Sequence, residues 1–447
     1  MSKSKKILSK VLAMVLAVGL VLGLAACGGG STGSDSSNTG SSASQGSAVS
    51  SSSAAEVKAE PVEITFSEFD DPNVYKEDWW KEFLSSFTSK NPEIKIKRIH
   101  NNDNDIRTNW QNQVAAGQGP EITIAPHDSI GLFATAGTAL ELDSFMPQEF
   151  WGMLDGSVLS QYKYKDKVYG IPYRLGNAVM LIYNKKLVPE PPKTFDELIS
   201  KAKELTNAPK QYGLVYDMVE PYFIMGYLGA YGGKVFDEND KMTLNTEPMK
   251  KMIQFVYDLK FTHKITPKDA NSDVANNLFK EGKAAFTICG PWLFQQLDDA
   301  KIDFGIAPIP EITGAGMPAP YSGAKVMILN PNLTGKNSKK AEAVKKFVTW
   351  MNEAEQQLKY AKMVSEIPSN KKALEDPYVK DDARVKALSE QLKFATPQPN
   401  LPEMRAVWDA LKSKMALVMG GKLSPEEAPA VIQQEAEKIA KNQLGKK

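Results

Sequence analysis

Cysteine is almost missing from this chain: there are two among 447 residues, Cys27 and Cys289. At most one disulfide can form, which excludes a disulfide-stapled architecture. Histidine is nearly as scarce, and His100, His127 and His263 are scattered, with no paired spacing for zinc. Net charge is also missing, with 54 basic residues against 53 acidic ones. A nucleic-acid partner would require a basic footprint that this balance does not offer. Beyond the N-terminus no apolar run is long enough to cross a membrane. No Walker loop, nucleophile elbow or dinucleotide fingerprint appears, so no cofactor is expected. Two segments begin like calcium loops and then fail. "DNDIRT" (103–108) has Thr108 where the sixth position needs glycine and Val114 where the bidentate glutamate belongs. "DENDKM", from Asp237, fails likewise at Met242 and Pro248. Both read as polar turns, and no metal is expected.

What is present is the composition of an ordinary globular protein, 42% hydrophobic and 24% charged, long enough for two domains each with its own core. The N-terminus stands apart. "MSKSKK" supplies positive charge, and "ILSKVLAMVLAVGLVLGLAAC" is a nearly unbroken apolar run ending in small residues, the layout of an export signal over residues 1–26. The run could also span a bilayer as an uncleaved anchor. "LAAC", Leu24 to Cys27, resembles the lipobox of bacterial lipoproteins. That resemblance implies that Cys27 is lipidated and anchors the chain at the extracellular face of the membrane through acyl chains. Cys289 would then be alone, and after the apolar "AAFTI" it reads as a buried, inert thiol. Residues 27–60 are almost wholly Gly, Ser, Ala and Thr, too poor in large apolar side chains to nucleate a core, so a flexible tether is expected. Its length suits a single-membrane surface, and a periplasmic lipoprotein would read much the same.

From Pro61 onward two periodicities alternate. "VEITFSEF" places Val62, Ile64 and Phe66 at every second position, as a strand does, whereas "WWKEFLSSF" spaces Trp80, Phe83, Leu84 and Phe87 as a helix does. "EIKIKRI", "EITIAPHD", "AVMLIYNK", "KAAFTICGPW" and "DFGIAPIP" add strands. Thr194 and Glu197 have capping-box spacing and mark a helix start. From Lys339 helical signals dominate. Strands alternating with helices argue for an α/β architecture.

One stretch raises a chemical question. "VEPYF" (219–223) sets the carboxylate of Glu220 against Pro221, with Tyr222 and Phe223 following. A core needs the rings but not the acid; a catalytic site needs a second acid, and nothing in the sequence singles one out for Glu220.

"GQGPEI", "PHD", "LIYNKKLVPEPPKTFDEL", "VEPYF", "FKEGKAAFTICGPW" and "LPEMRAVWDALKS", in this order, resemble the maltose/maltodextrin-binding proteins among the solute-binding proteins of ABC importers. The similarity runs from about Pro61 to the C-terminus. It implies an α/β, two-lobe fold with a hinge, an interlobe cleft and C-terminal helices. By position, residues 61–175 and 325–375 would form the first lobe, and residues 176–320 and 380–447 the second. It implies that Glu220 accepts hydroxyls, that Pro221 sets the loop and that Tyr222, Trp292 and Trp408 contact or stack on sugar. Asp70 and Asp128 would accept hydroxyls from the facing lobe. Asn177 and Lys412 occupy further contact positions, where the family carries an acid and an arginine. Other departures are Ala125 and Pro126 in place of an aromatic, Ser129 in place of a base after Asp128, and Asp409 in place of a tyrosine. The implied partners are maltose, maltodextrin or a related oligosaccharide and the membrane permease of the importer, with the binding protein itself a monomer. A galacto- or arabino-oligosaccharide ligand, a glycosidase acting through Glu220, and an adhesion protein on the same fold are the alternatives.

Overall fold

Val62, Ile64 and Phe66 alternate along the strand Val62–Glu68, which buries Ile64 and Phe66 and pairs in parallel with Ile94–His100 and Ile122–Pro126. Trp80, Phe83 and Phe87 of the helix Glu77–Thr88 close over that face, with Leu84 at its margin. Each such ring contributes on the order of 2 kcal/mol by leaving water. The structure is a computed structural model that describes residues 60–444 except 270, 336 and 337. The export signal, Cys27 and the tether up to residue 59 lie outside the described residues.

Two sheets organise the body, which belongs to one compact unit, Ala59–Lys447. The first sheet runs Ile367–Pro368, Ile171–Asn177, Tyr321–Leu329, Ile122–Pro126, Val62–Glu68, Ile94–His100. The second runs Phe304–Ala307, Met180–Asn184, Ala284–Cys289, Tyr212–Val215. Each has its own core, so the molecule is two α/β lobes.

The chain crosses between the lobes at the site's floor. Ile171–Asn177 belongs to the first sheet, and Met180–Asn184 opens the second almost at once. Gly176, at φ +85°, makes the bend, and a Cβ there would lie 2.9 Å from Leu388 Cδ2. The return is a single long strand: Tyr321 packs in the second core, whereas Met327 and Leu329 of the same strand pack in the first. The helices Met404–Met419 and Ala428–Leu444 bury one face against the second core.

The sequence signals for strands and for the capped helix are met. Thr194 accepts the Glu197 N–H at 3.2 Å, and Glu197 accepts the Lys193 N–H at 2.7 Å, a reciprocal cap shifted by one residue. One reading needs correction. Residues 103–108 are not a polar turn but the first half of the helix Asp103–Ala115. Ile106, Trp110 and Val114, four residues apart, are all buried on one face and hold it down. The segment from Asp237 is a turn, with Asp237 accepting the N–H groups of Asn239 and Lys241. Cys289 is buried in its strand, and burial pushes its thiol up to about 12.

Candidate functional site: an interlobe cleft with aromatic and carboxylate walls

The "VEPYF" loop is set by Asp217. One of its oxygens accepts the N–H groups of Val219 and Glu220, and the other accepts from the backbone and hydroxyl of Ser272. That turn leaves Glu220 as the residue before the helix Pro221–Ala230, where a proline at the first helical position costs no hydrogen bond. Glu220 Oε2 lies 2.7 Å from Lys412 Nζ on the helix Met404–Met419. The two side chains are 29% and 55% exposed, so the pair adds little stability and leaves oxygen and ammonium open to a ligand. This bond, more than any other cause, raises the pKa of Lys412.

The aromatic wall follows. Trp292 folds back over Gly290, whose added Cβ would sit 1.9 Å from the indole, so the Gly-Pro-Trp motif is a requirement of space. The Trp292 ring centroid is 6.4 Å from that of Tyr222 and 6.3 Å from that of Phe223. The Tyr222 hydroxyl donates to the carbonyls of Asn177 and Tyr321 in the two crossing segments, and burial pushes its pKa up. Asn177 thus engages Tyr222 through its backbone. Trp408 is 9% exposed, its ring edge-on to Tyr321 at 5.9 Å, and its Nε1 donates to Asp128 Oδ2 at 2.9 Å.

Asp128 supplies the facing carboxylate from the first lobe. Burial alone would raise its pKa, but its surroundings, the Arg107 guanidinium foremost, outweigh burial and hold it below the usual carboxylate range. Asp70 is placed otherwise than the sequence expectation. Its side chain is fully buried, accepts from Arg174 Nη2 at 2.6 Å and is bonded to Lys325, and these two cations overcome burial and keep its pKa low. The neighbouring Asp71 is the one that reaches the cleft, where its Oδ2 accepts from Gln296 Nε2 of the second lobe at 2.9 Å.

The cleft mouth encloses a cavity of about 730 Å³, within the range of small-molecule sites. Asp71, Asn73 and Asn102 line one side, and Asn276, Lys280 and Trp292 the other. Sequence reasoning missed Asn73, Gln296, Lys280 and Arg107. Lys280 stands in "FKEGKAAFTICGPW" and Arg107 in "DNDIRT", but neither segment singles them out; only the fold brings Asn73, Gln296 and Lys280 to the opening and Arg107 to Asp128. Ala125, where an aromatic was expected, is fully buried within a strand of the first sheet, and Asp409 is bonded to Arg405 at 2.8 Å.

A family profile, bacterial extracellular solute-binding protein, matches residues 82–387. The maltotriose-binding protein of Pyrococcus abyssi (strain GE5 / Orsay) is 29% identical over 364 residues, covering 79% of this chain and 77% of that protein. A maltooligosaccharide ABC transporter solute-binding lipoprotein of Streptococcus pneumoniae serotype 4 is 29% identical over 324 residues, covering 70% of this chain and 74% of that one. Among solved structures, the maltose/maltodextrin-binding domain MalE from Bdellovibrio bacteriovorus bound to maltotriose superposes with a TM-score of 0.79 at 33% identity. That match covers 85% of this chain and 99% of the domain. With two lobes, a cleft between them and a profile spanning both, this chain belongs to the bacterial extracellular solute-binding protein family.

Proposed function

We propose that the protein is the solute-binding subunit of a carbohydrate ABC importer, capturing malto-oligosaccharides in the interlobe cleft and delivering them to membrane permease subunits. The observation that carries this is that Trp292 and Tyr222 neighbour each other on the second lobe, which also carries the Glu220–Lys412 bond, while Asp128 and Asp71 of the first lobe bond across to Trp408 and Gln296. A pyranose presents C–H faces that pack on rings and hydroxyls that pair with ionised groups, and this arrangement serves both. Trp292 is the main platform, Tyr222 and Trp408 border the sugar, and Glu220, Lys412, Asp128 and Asp71 take hydroxyls. Pro221 and Asn177 act through the backbone they fix. The relatives named for maltotriose and maltooligosaccharide support the ligand class.

The lobe limits we propose are 61–175 with 325–375 and 176–320 with 380–447, hinged at the crossing segments. Closure about that hinge would sequester the sugar. The protein would act as a monomer, held at the outer face of the membrane by lipid on Cys27. No bond cleavage is proposed: the relatives are named as binding proteins, and Glu220 is held in an ion pair with the Lys412 ammonium. The departures at Ala125, Ser129, Asn177, Asp409 and Lys412 favour one second reading, a galacto- or arabino-oligosaccharide in the same cleft. Calorimetric titration with maltotriose, arabinotriose and a galactosyl trisaccharide, with chromatography of the sugar afterwards, tests all of this. Saturable binding of maltotriose recovered intact is expected. Preference for another trisaccharide replaces the ligand, and shortened products overturn the binding-protein reading.

A further inference from the structure

The family resemblance puts a basic side chain directly after Asp128, and this chain has Ser129 there. A guanidinium nevertheless arrives from elsewhere. Arg107, on the helix Asp103–Ala115, places Nη2 3.1 Å from Asp128 Oδ1 and Nε 3.0 Å from Ser129 Oγ. The other carboxylate oxygen, Oδ2, accepts the Trp408 indole N–H at 2.9 Å. Arg107 and Asp128 stand on the first lobe and Trp408 packs in the core of the second, so cation, carboxylate and indole form one chain of bonds across the cleft.

We propose that Arg107 is a positioning residue of the sugar site. It clamps the Asp128 carboxylate in the orientation that receives the Trp408 N–H and so takes over the task of the base missing at position 129. The planar guanidinium donates through two nitrogens in fixed relation, one to Asp128 and one to Ser129, which an ammonium cannot reproduce. Two bonds fix the carboxylate plane, yet each sp² oxygen keeps a second lone pair, so Asp128 can still accept a sugar hydroxyl. Ser129 is part of the device, because a hydroxyl there can accept from Nε. Arg107 is 15% exposed, enclosed enough for its bonds to escape most solvent screening.

This inference rests on the sugar-binding reading for its effect on affinity, but the clamp can be read without sugar. The full chain is labelled with ¹⁵N-tryptophan, and the Trp408 indole N–H is assigned among the seven tryptophans with Trp408→Phe. Arg107→Gln is expected to shift the Trp408 resonance and to weaken maltotriose binding by roughly tenfold to a hundredfold, the range for losing a hydrogen bond to a charged group. Arg107→Lys should recover part of both, and Arg107→Gln combined with Ser129→Arg should return the resonance towards its wild-type position. Thermal melting identifies any variant that fails to fold, and the lysine variant then decides. An unmoved Trp408 resonance in a folded Arg107→Gln protein overturns the clamp. Failure of Ser129→Arg to restore it overturns the claim that Arg107 stands in for residue 129. A wild-type chain that ignores maltotriose overturns the sugar assignment instead, and the resonance still decides the clamp.

Discussion

Asp71 and Gln296 join the two lobes at the mouth of the cleft: Asp71 Oδ2 accepts a hydrogen bond from Gln296 Nε2 at 2.9 Å across 225 residues of sequence. Asp71 stands in the turn after the first strand, and Gln296 in the helix Phe294–Asp299 just past Trp292. A bond between the lobes at the rim favours the closed arrangement in which both walls touch one ligand. Gln296→Ala should therefore speed maltotriose release and weaken affinity by roughly tenfold, corresponding to about 1–2 kcal/mol for a bond to a carboxylate. Stopped-flow fluorescence with calorimetry measures this, and an unchanged release rate counts against a role for the rim bond in closure.

Adjacent aspartates should behave oppositely. Asp70 pairs with buried Arg174 and bonds Lys325, so Asp70→Asn leaves Glu366 to offset Arg174 by itself and should cost about 3–5 kcal/mol of stability. Asp71→Asn touches only the cleft and its turn, and should lower sugar affinity with less than about 1 kcal/mol of stability lost. Urea denaturation beside calorimetry separates the two.

Gly290 and Trp292 form one unit. Trp292→Ala removes the platform and should reduce maltotriose affinity at least tenfold while the fold persists. Gly290→Ala forces a methyl group into the indole and should do the same by displacing the ring, with about 1–3 kcal/mol of overpacking in addition. Near-ultraviolet circular dichroism should show the tryptophan environment altered in both.

His127 gives the stability a pH dependence. It is buried beside the hinge, with Nδ1 accepting the Ala324 N–H at 3.3 Å and Nε2 facing the Gln398 carbonyl at 2.9 Å, an arrangement that suits the neutral ring. Burial lowers its pKa below the usual value, against Asp128 and the Gln398 carbonyl, which raise it. The unfolded chain then binds more protons than the folded one as pH falls below about 6.5. The contribution is fully present above that pH and is lost on acidification towards the folded-state pKa. Melting temperature should drop from pH 7.5 to pH 5.5 more steeply in the wild type than in His127→Gln; equal slopes would remove His127 as the cause.

Much of the fold was legible because its signals are local. The alternation in Val62–Phe66, the helical spacing of Trp80 to Phe87 and the Thr194 cap each depend on residues within a few positions of one another. The helix Asp103–Ala115 was equally legible in Ile106, Trp110 and Val114, but the polar opening of the segment drew a comparison with calcium loops and hid that spacing. Asp70 and Asp71 could not be told apart from sequence, because Arg174 and Lys325, which claim Asp70, lie 104 and 255 residues away. Arg107 was illegible as a site residue for the same reason. The resemblance pointed to position 129, whereas the guanidinium beside Asp128 comes from another helix.

The central claim is that this cleft captures malto-oligosaccharide on the Trp292 ring. Titration of the protein with maltotriose, followed by tryptophan fluorescence and repeated on Trp292→Ala, tests it most directly. Saturable quenching or shift in the wild type, lost or greatly weakened in the variant, is the predicted result. A folded wild type showing neither fluorescence change nor heat at millimolar maltotriose would contradict the account.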